Sequence, residues 1–316
     1  MSNTMDKRIS RIAIIGVGQV GAAVAYALIL GSVADELLIV DIRAKWRDGQ
    51  VRDLTDVAYA HESRTRLRAA GYREASQCDI VVITAGSKFS YGQTSLDYLY
   101  RNTGILRSVV NEMKPFRFDT ILLVVANPVD LLASLAKEIS GLPPSQVLGS
   151  GTFLDSVRLR GLLADRAGIA PSSIHLDVLG IHGDAQVPVW STATVDGDPL
   201  EKAALLCMAT EADQASLARE CRNQSRSIIA AKGATPFGIG SIVSSICTSI
   251  LQDGRDVRPI SHFQPEFGCY FSLPVVLGRT GVVQQVPAAL SAREKEAIEE
   301  SAKELKSILD RVQERS

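Results

Sequence analysis

Residues 11–30, RIAIIGVGQVGAAVAYALIL, decide the fold. A short apolar run, RIAII, breaks directly into GVGQVG, with Gly16, Gly18 and Gly21 spaced as G-x-G-x-x-G, and then into the helix-like VGAAVAYALIL. Such a glycine triplet is weak by itself. Between a strand and a helix it predicts a β-turn-α unit in which the backbone approaches a pyrophosphate at the helix N-terminus. The next apolar run, LLIV, ends at Asp41, twenty residues past Gly21, where a carboxylate can accept hydrogen bonds from a ribose diol. The stretch therefore predicts a dinucleotide site, with Gln19 and Val20 between the glycines. Asp41 would repel a 2′-phosphate, which predicts NAD; Arg43 and Lys45 just beyond it leave NADP as the lesser alternative.

Working outward, CDIVVITAG (78–86) and TILLVVANP (120–128) read as further buried strands, each followed by turn residues and a helical pattern. Strands alternating with helices predict an α/β fold: a Rossmann-type, doubly wound parallel sheet. In HESRTRLRAAGY, Arg64, Arg66 and Arg68 recur at a period of two, as on the solvated face of an extended segment. The strict rhythm ends after the Pro/Gly-rich GLPPSQVLGSG (141–151), which we take as the boundary between a nucleotide domain, 1–148, and a mixed α+β substrate and oligomerisation domain, 149–316. That second half offers a helix from about 152, a strand-like IHLDVLGIHGD, alternation in VPVWSTATVDG, helices over roughly 199–232 and 236–252, and a β-rich YFSLPVVLGRTGVVQQV. At the end, Ile298, Ala302, Leu305, Leu309 and Val312 alternate at spacings of four and three, the stripe of an amphipathic helix.

With 316 residues the chain can bury two cores, and a formal net charge of −1 offers no bulk attraction for nucleic acid or an acidic membrane. The five cysteines, Cys78, Cys207, Cys221, Cys247 and Cys269, are scattered with no C-x-x-C pair, as suits a reducing compartment. No apolar leader opens the chain, and no run of about 18 apolar residues follows. A cytoplasmic protein is expected. His61, His175 and His262 lack ligand spacing, so no metal is expected, and Trp46 and Trp190 read as packing residues or flat surface anchors.

His182 is different. It lies in LGIHGDAQVPVW, 27 residues beyond Asp155 in GTFLDSVRLR. An imidazole titrates near neutrality, and a carboxylate bonded to its far nitrogen would fix the tautomer and stabilise the protonated ring. Arg158, three residues past Asp155, shares a helix face with it and can grip a substrate carboxylate through two parallel hydrogen bonds.

Nearly the whole chain resembles the L-lactate/malate dehydrogenase family, and more its lactate branch. The matching stretches are GVGQVG with Asp41, VVITAG, VANPVD, GSGTFLDSVRLR, IHGDAQVPVWS, KGATPFGIG and LPVVLGRTG, in family order and spacing. The resemblance implies that His182 is the acid/base, that Asp155 orients it, and that Arg158 clamps the substrate carboxylate. It also implies that Asn127 hydrogen-bonds near the reacting carbonyl and the nicotinamide, and that Thr235 sits by the substrate. Thr84, Ala85, Gly86, Asn102 and Val125 would join Asn127 in lining the cofactor, and assembly as a homodimer or homotetramer is expected.

One stretch departs from the family, the lid loop 86–99 with its flanks, TAGSKFSYGQTSLDYLYRN. Its substrate-discriminating position carries Phe89, and the position of the carbonyl-polarising arginine, six residues later, carries Ser95. Lys88 and Arg101 are not convincing replacements, because ordinary members have basic residues near both places. Losing a preorganised donor to a developing oxyanion costs about 3–4 kcal/mol. Phe89 offers no charge for a second carboxylate, and with Tyr91 it favours an apolar side chain; Ile181, where the family often has glutamate, points the same way. The expected function is NAD-dependent oxidation and reduction of a 2-hydroxy/2-oxo acid bulkier and less polar than lactate. The alternatives are a specialised hydroxy acid or ketone that brings its own polarising group, and a non-catalytic NAD-binding relative.

Overall fold

The computed structural model describes residues 9–87, 94–202 and 210–314. Six parallel strands form its first half: β1 (Arg11–Ile15), β2 (Glu36–Val40), β3 (Arg66–Ala69), β4 (Ile80–Ile83), β5 (Ile121–Val124) and β6 (Val147–Gly149). Between them run α1 (Gln19–Leu30), α2 (Ala44–Ala60), a single turn α3 (Tyr72–Ala75), α4 (Ser95–Met113) and α5 (Val129–Ser140). The strand order β3-β2-β1-β4-β5-β6 reverses direction beside β1, and the turns after β1 and β4 open together at the carboxyl ends of these strands. In open α/β sheets a ligand crevice forms at such a switch point.

The period of two along these strands divides the core. Ile12, Ile14, Leu37, Ile39, Ile80 and Val82 face one apolar cluster, where Val24 and Leu28 of α1 meet Ile242 and Val243. Ala13, Ile15, Leu38, Val40, Val81 and Ile83 face the other, with Leu106 and Val110 of α4, Leu131 and Leu135 of α5, and the C-terminal helix. Because both faces are covered, the strands read as continuous apolar runs rather than alternating ones.

The second half consists of α6 (Phe153–Ala167), the short strands β7 (Ile174–His175), β8 (Val178–Gly180), β9 (Gln186–Pro188), β10 (Thr194–Val195) and β11 (Asp198–Pro199), then α7 (Glu211–Lys232), α8 (Pro236–Leu251), β12 (Asp256–Gln264), β13 (Cys269–Gly278), β14 (Gly281–Gln285) and α9 (Ala292–Glu314). Here β12 pairs antiparallel with β6 and extends the first sheet through β13, β8 and β9, while β11, β10 and β7 form a small separate sheet. The five apolar positions foreseen on the last helix are all buried. Among the described residues, no helix is long and apolar enough to cross a membrane.

Several local expectations are revised. The Pro/Gly-rich segment 141–151 also contains a strand that the sequence reading did not single out, β6, whose Val147, Leu148 and Gly149 are buried. The long strand β12 went unforeseen; its apolar residues are interrupted by Pro259, Ser261 and His262, which blurs the pattern. Of the helical stretch expected over roughly 199–232, Leu200–Lys202 is a single 3₁₀ turn, 203–209 lie outside the described residues, and α7 runs from Glu211, where the Thr210 hydroxyl accepts from Asp213 N. Arg68 is not simply solvated, since it bonds Glu36 and Glu74.

Candidate active site

The glycine loop is shaped by contacts that only glycine permits. Gly16 has φ +88°, and a Cβ there would lie 2.7 Å from Ala85 Cα; a Cβ on Gly21 would lie 2.1 Å from Gly16 O and 2.7 Å from Thr84 Oγ1. Strand-end residues Thr84 and Ala85 are thereby pressed against the loop, and Thr84 Oγ1 donates to Gly16 O at 2.5 Å. By contrast, a Cβ on Gly18 would meet nothing within 4 Å. Gly18 caps α1 without a side-chain bond, Gln19 is the exposed first residue of the helix, Val20 is half-buried, and no acid occupies the first turn. The amide end of α1 is thus open toward space that an anion can fill, which fits a pyrophosphate. The end of α4 is instead closed by a Thr94–Asp97 capping box.

Asp41 stands at the end of β2 with one oxygen accepting from Val17 N at 3.0 Å and the other from Arg43 N at 2.9 Å and Arg43 Nε at 3.3 Å. Arg43 also lies over the Trp46 ring at 5.0 Å, and Trp46 Nε1 donates to Val17 O at 2.8 Å. Arg43 is therefore drawn onto the carboxylate rather than held out for a phosphate, and Trp46 braces the glycine loop. Gly86 is exposed and Val125 buried. Buried Asn102 accepts from Ser87 N at 2.7 Å and would obstruct a Cβ on Gly86 at 3.1 Å, so it shapes the turn after β4 from behind.

The second half of the site is assembled from distant segments. Asp155, in the first turn of α6, is buried, and its Oδ2 lies 2.6 Å from His182 Nδ1. Its Oδ1 is 3.7 Å from Arg158 Nη1. With the Gln186 amide turned so that nitrogen faces the acceptors, Gln186 donates to the same Oδ1 at 3.3 Å and to Gly183 O at 3.2 Å. The Cys221 thiol donates to the Asp155 carbonyl at 3.4 Å. A carboxylate so surrounded is fixed, and so is the ring it holds.

His182 keeps 24% of its side chain exposed, and its Nε2 has no partner among the described residues. Burial opposes charge on the ring, but the Asp155 carboxylate, by its charge and hydrogen bond, and the nearby Asp130 outweigh it and raise the pKa above the ordinary value. Desolvation chiefly lowers the Arg158 pKa, against the pull of Asp155, yet a guanidinium stays charged at neutral pH. Arg158 Nη1 also donates to Ser225 Oγ on α7.

Asn127 is exposed on the turn between β5 and α5. Thr235 heads α8 without spending its hydroxyl on capping, and a Cβ on Gly238 in the next turn would touch Leu154 at 3.1 Å, so this end of α8 packs beside Asp155. Ser95 is the exposed first residue of α4, and Arg101 is exposed further along that helix. Phe89, Lys88 and Tyr91 lie outside the described residues. Ile181 is half-buried and packs against the core beside His182. Sequence reasoning missed Asp130, Gln186, Cys221 and Ser225. Only Asp130 left a trace, in the same VANPVD stretch as Asn127.

Comparison with known proteins covers both halves. Residues 10–149 match the lactate/malate dehydrogenase NAD-binding domain, and residues 152–316 match the lactate/malate dehydrogenase alpha/beta C-terminal domain. The chain is 40% identical to L-lactate dehydrogenase A of Rhizopus oryzae over 299 residues, 95% of this chain and 92% of that one. It is 36% identical to L-lactate dehydrogenase of Halalkalibacterium halodurans, covering 95% and 96%. The crystal structure of minor L-lactate dehydrogenase from Enterococcus mundtii superposes with a TM-score of 0.91 at 35% identity, covering 96% and 98%.

Proposed function

The chain belongs to the lactate/malate dehydrogenase family, an NAD-dependent 2-hydroxy acid oxidoreductase by that membership, and from this premise we propose how its residues act and on what. The observation that carries the proposal is the chain of contacts from His182 through Asp155 to Arg158. When bound, NAD supplies or accepts the hydride at the substrate carbon. In reduction, Arg158 holds the carboxylate of a 2-oxo acid, Asn127 hydrogen-bonds near its carbonyl, and protonated His182 gives the Nε2 proton to the developing alkoxide. In oxidation, neutral His182 takes the hydroxyl proton, and Asp155 offsets the charge that forms. Thr235 would border the substrate, while Gly16, Gly18, Gln19, Val20, Gly21, Asp41, Thr84, Ala85, Gly86, Asn102 and Val125 would form or support the cofactor crevice.

For the substrate, Phe89 supports a monocarboxylic 2-oxo acid with an apolar side chain larger than that of pyruvate, and it disfavours a dicarboxylate for want of a second positive charge. A second reading, L-lactate and pyruvate themselves, is favoured by the relatives, which are named for lactate. Ser95 supplies no cation to the reacting carbonyl, so the substrate is expected to be intrinsically reactive or to carry its own polarising group. A homodimer or homotetramer is supported by Tyr26 and Leu30 of α1 and Tyr59 of α2, which leave apolar surface exposed on helices that pack together. The test is NADH oxidation with pyruvate, oxaloacetate, 2-oxoisocaproate, phenylpyruvate and indolepyruvate. Turnover favouring the bulky acids is expected. A preference for pyruvate would support the second reading, and NADH binding without turnover on any acid would overturn the catalytic proposal.

A further inference from the structure

His182 is gripped from two sides, and only one grip belongs to the Asp155 pair. Its backbone N–H donates to Asp130 Oδ2 at 2.8 Å. Asp130 lies in the first turn of α5, three residues past Asn127, and is only 2% exposed. Its hydrogen bond ties the turn that presents Asn127 to the turn that presents His182, two groups that must address the same carbonyl. The other oxygen, Asp130 Oδ1, and the Ser261 hydroxyl on β12 are both buried, and among the described residues neither makes a hydrogen bond of good geometry. A buried carboxylate with one oxygen unspent is costly unless it is anchored for a purpose.

We propose that Asp130 is a positioning residue of the active site: its carboxylate sets the register of His182 against the Asn127 turn and places a second negative charge beside the imidazole. The inference rests on His182 being the acid/base group. The titratable groups facing Asp130 are His182, Asp155 and, from β13, Cys269; those facing His182 are Asp155, Asp130 and Arg158. Burial pushes the Asp130 carboxyl up to about 6, with Asp155 adding to the rise, while Ser261 and His182 favour the ionised form. Cys269, pushed up to about 12 chiefly by burial, stays neutral. Above neutral pH, then, Asp130 is charged when the proton on His182 matters most.

Asp130→Asn keeps an acceptor for the His182 N–H and removes the charge, whereas Asp130→Ala removes both. The full-length enzyme is assayed for NADH-dependent reduction of the best acid of the panel from pH 5.5 to 9. In the wild type the rate falls as pH rises through the His182 pKa. In D130N that midpoint moves down by about one pH unit, which at pH 8 is about a tenfold loss in kcat/KM, while KM at pH 6 is unchanged. D130A loses about a further tenfold in kcat even at pH 6, because a buried donor is left unmet. A midpoint that does not move in a D130N protein with a cooperative melting transition overturns the proposal. Should D130N fail to fold, Asp130→Ser gives the same readout with a smaller neutral residue, and an unmoved midpoint there overturns it equally. A wild type whose rate shows no such limb, or whose limb survives His182→Asn, refutes instead the acid/base reading on which the inference stands.

Discussion

Two histidines in this chain are enclosed by the fold and behave as opposites. His182 has Asp155 on its ring, and Asp130 on its backbone, and its pKa is raised. His262, inside β12, has no carboxylate partner among the described residues: Nδ1 faces Ile260 O at 3.0 Å, Nε2 accepts from the Gln264 amide at 2.8 Å, and burial drives its pKa down to about 4. Burial opposes the charged ring in both places. What differs is whether a neighbouring negative charge outweighs it, so one ring can carry a proton at neutral pH and the other is a neutral part of the core.

The contrast can be broken most severely at His182 itself. His182→Asn should cost about 10²- to 10⁴-fold in kcat/KM for 2-oxo acid reduction, read by NADH oxidation, with a smaller loss of melting temperature at pH 8 than at pH 5, where the protonated ring also supports the fold. Asp155→Asn makes the surroundings of His182 resemble those of His262; losing an adjacent charge should lower the ring pKa by about 1–3 units, and at pH 8 the reduction rate by about 10- to 10³-fold. Activity should recover as pH is lowered.

His262 offers the converse experiment. Its folded pKa lies below the unfolded value of about 6.5, so the unfolded chain takes up the proton first as pH falls. Stability should therefore decline from about pH 6.5 toward pH 4, by about 3 kcal/mol in all. His182, with its raised pKa, works in the other direction, contributing stability below pH 6.5 that is lost as pH rises through its folded pKa. Urea unfolding at several pH values should show a shallower acid slope in His262→Gln, with turnover at pH 7 retained. The smallest effect is expected at the lid. Ser95→Arg should raise kcat/KM on pyruvate by about tenfold, less than the full worth of a preorganised donor, and no gain would mean that the lid is built around another geometry.

The cofactor crevice was legible because its information is local. Gly16, Gly18 and Gly21 lie within six residues, and the strand before them and Asp41 after them follow in order, so backbone geometry alone suggests the ligand. The proton-handling side is composed differently. Asp130, Asp155, His182 and Ser225 come from four separate elements, and a single-residue reading cannot say which carboxylate meets which ring. Motif resemblance supplied the Asp155–His182 pairing; it supplied neither the backbone grip of Asp130 nor the Ser225 contact, which depend on how α5 and α7 are set against the β8 turn. The strand β12 was hidden for a related reason, since its polar Ser261, His262 and Gln264 are buried by partners far away in sequence.

The most direct test of this account is a pH titration of the imidazole nitrogens by histidine-selective ¹⁵N NMR, practicable because the chain has four histidines, with His182→Asn and His262→Gln for assignment. The account predicts that the His182 ring becomes half-protonated above pH 6.5 while His262 stays neutral down to about pH 4 or until the protein unfolds. A His182 that loses its proton below pH 6.5, or that titrates together with His262, would contradict it.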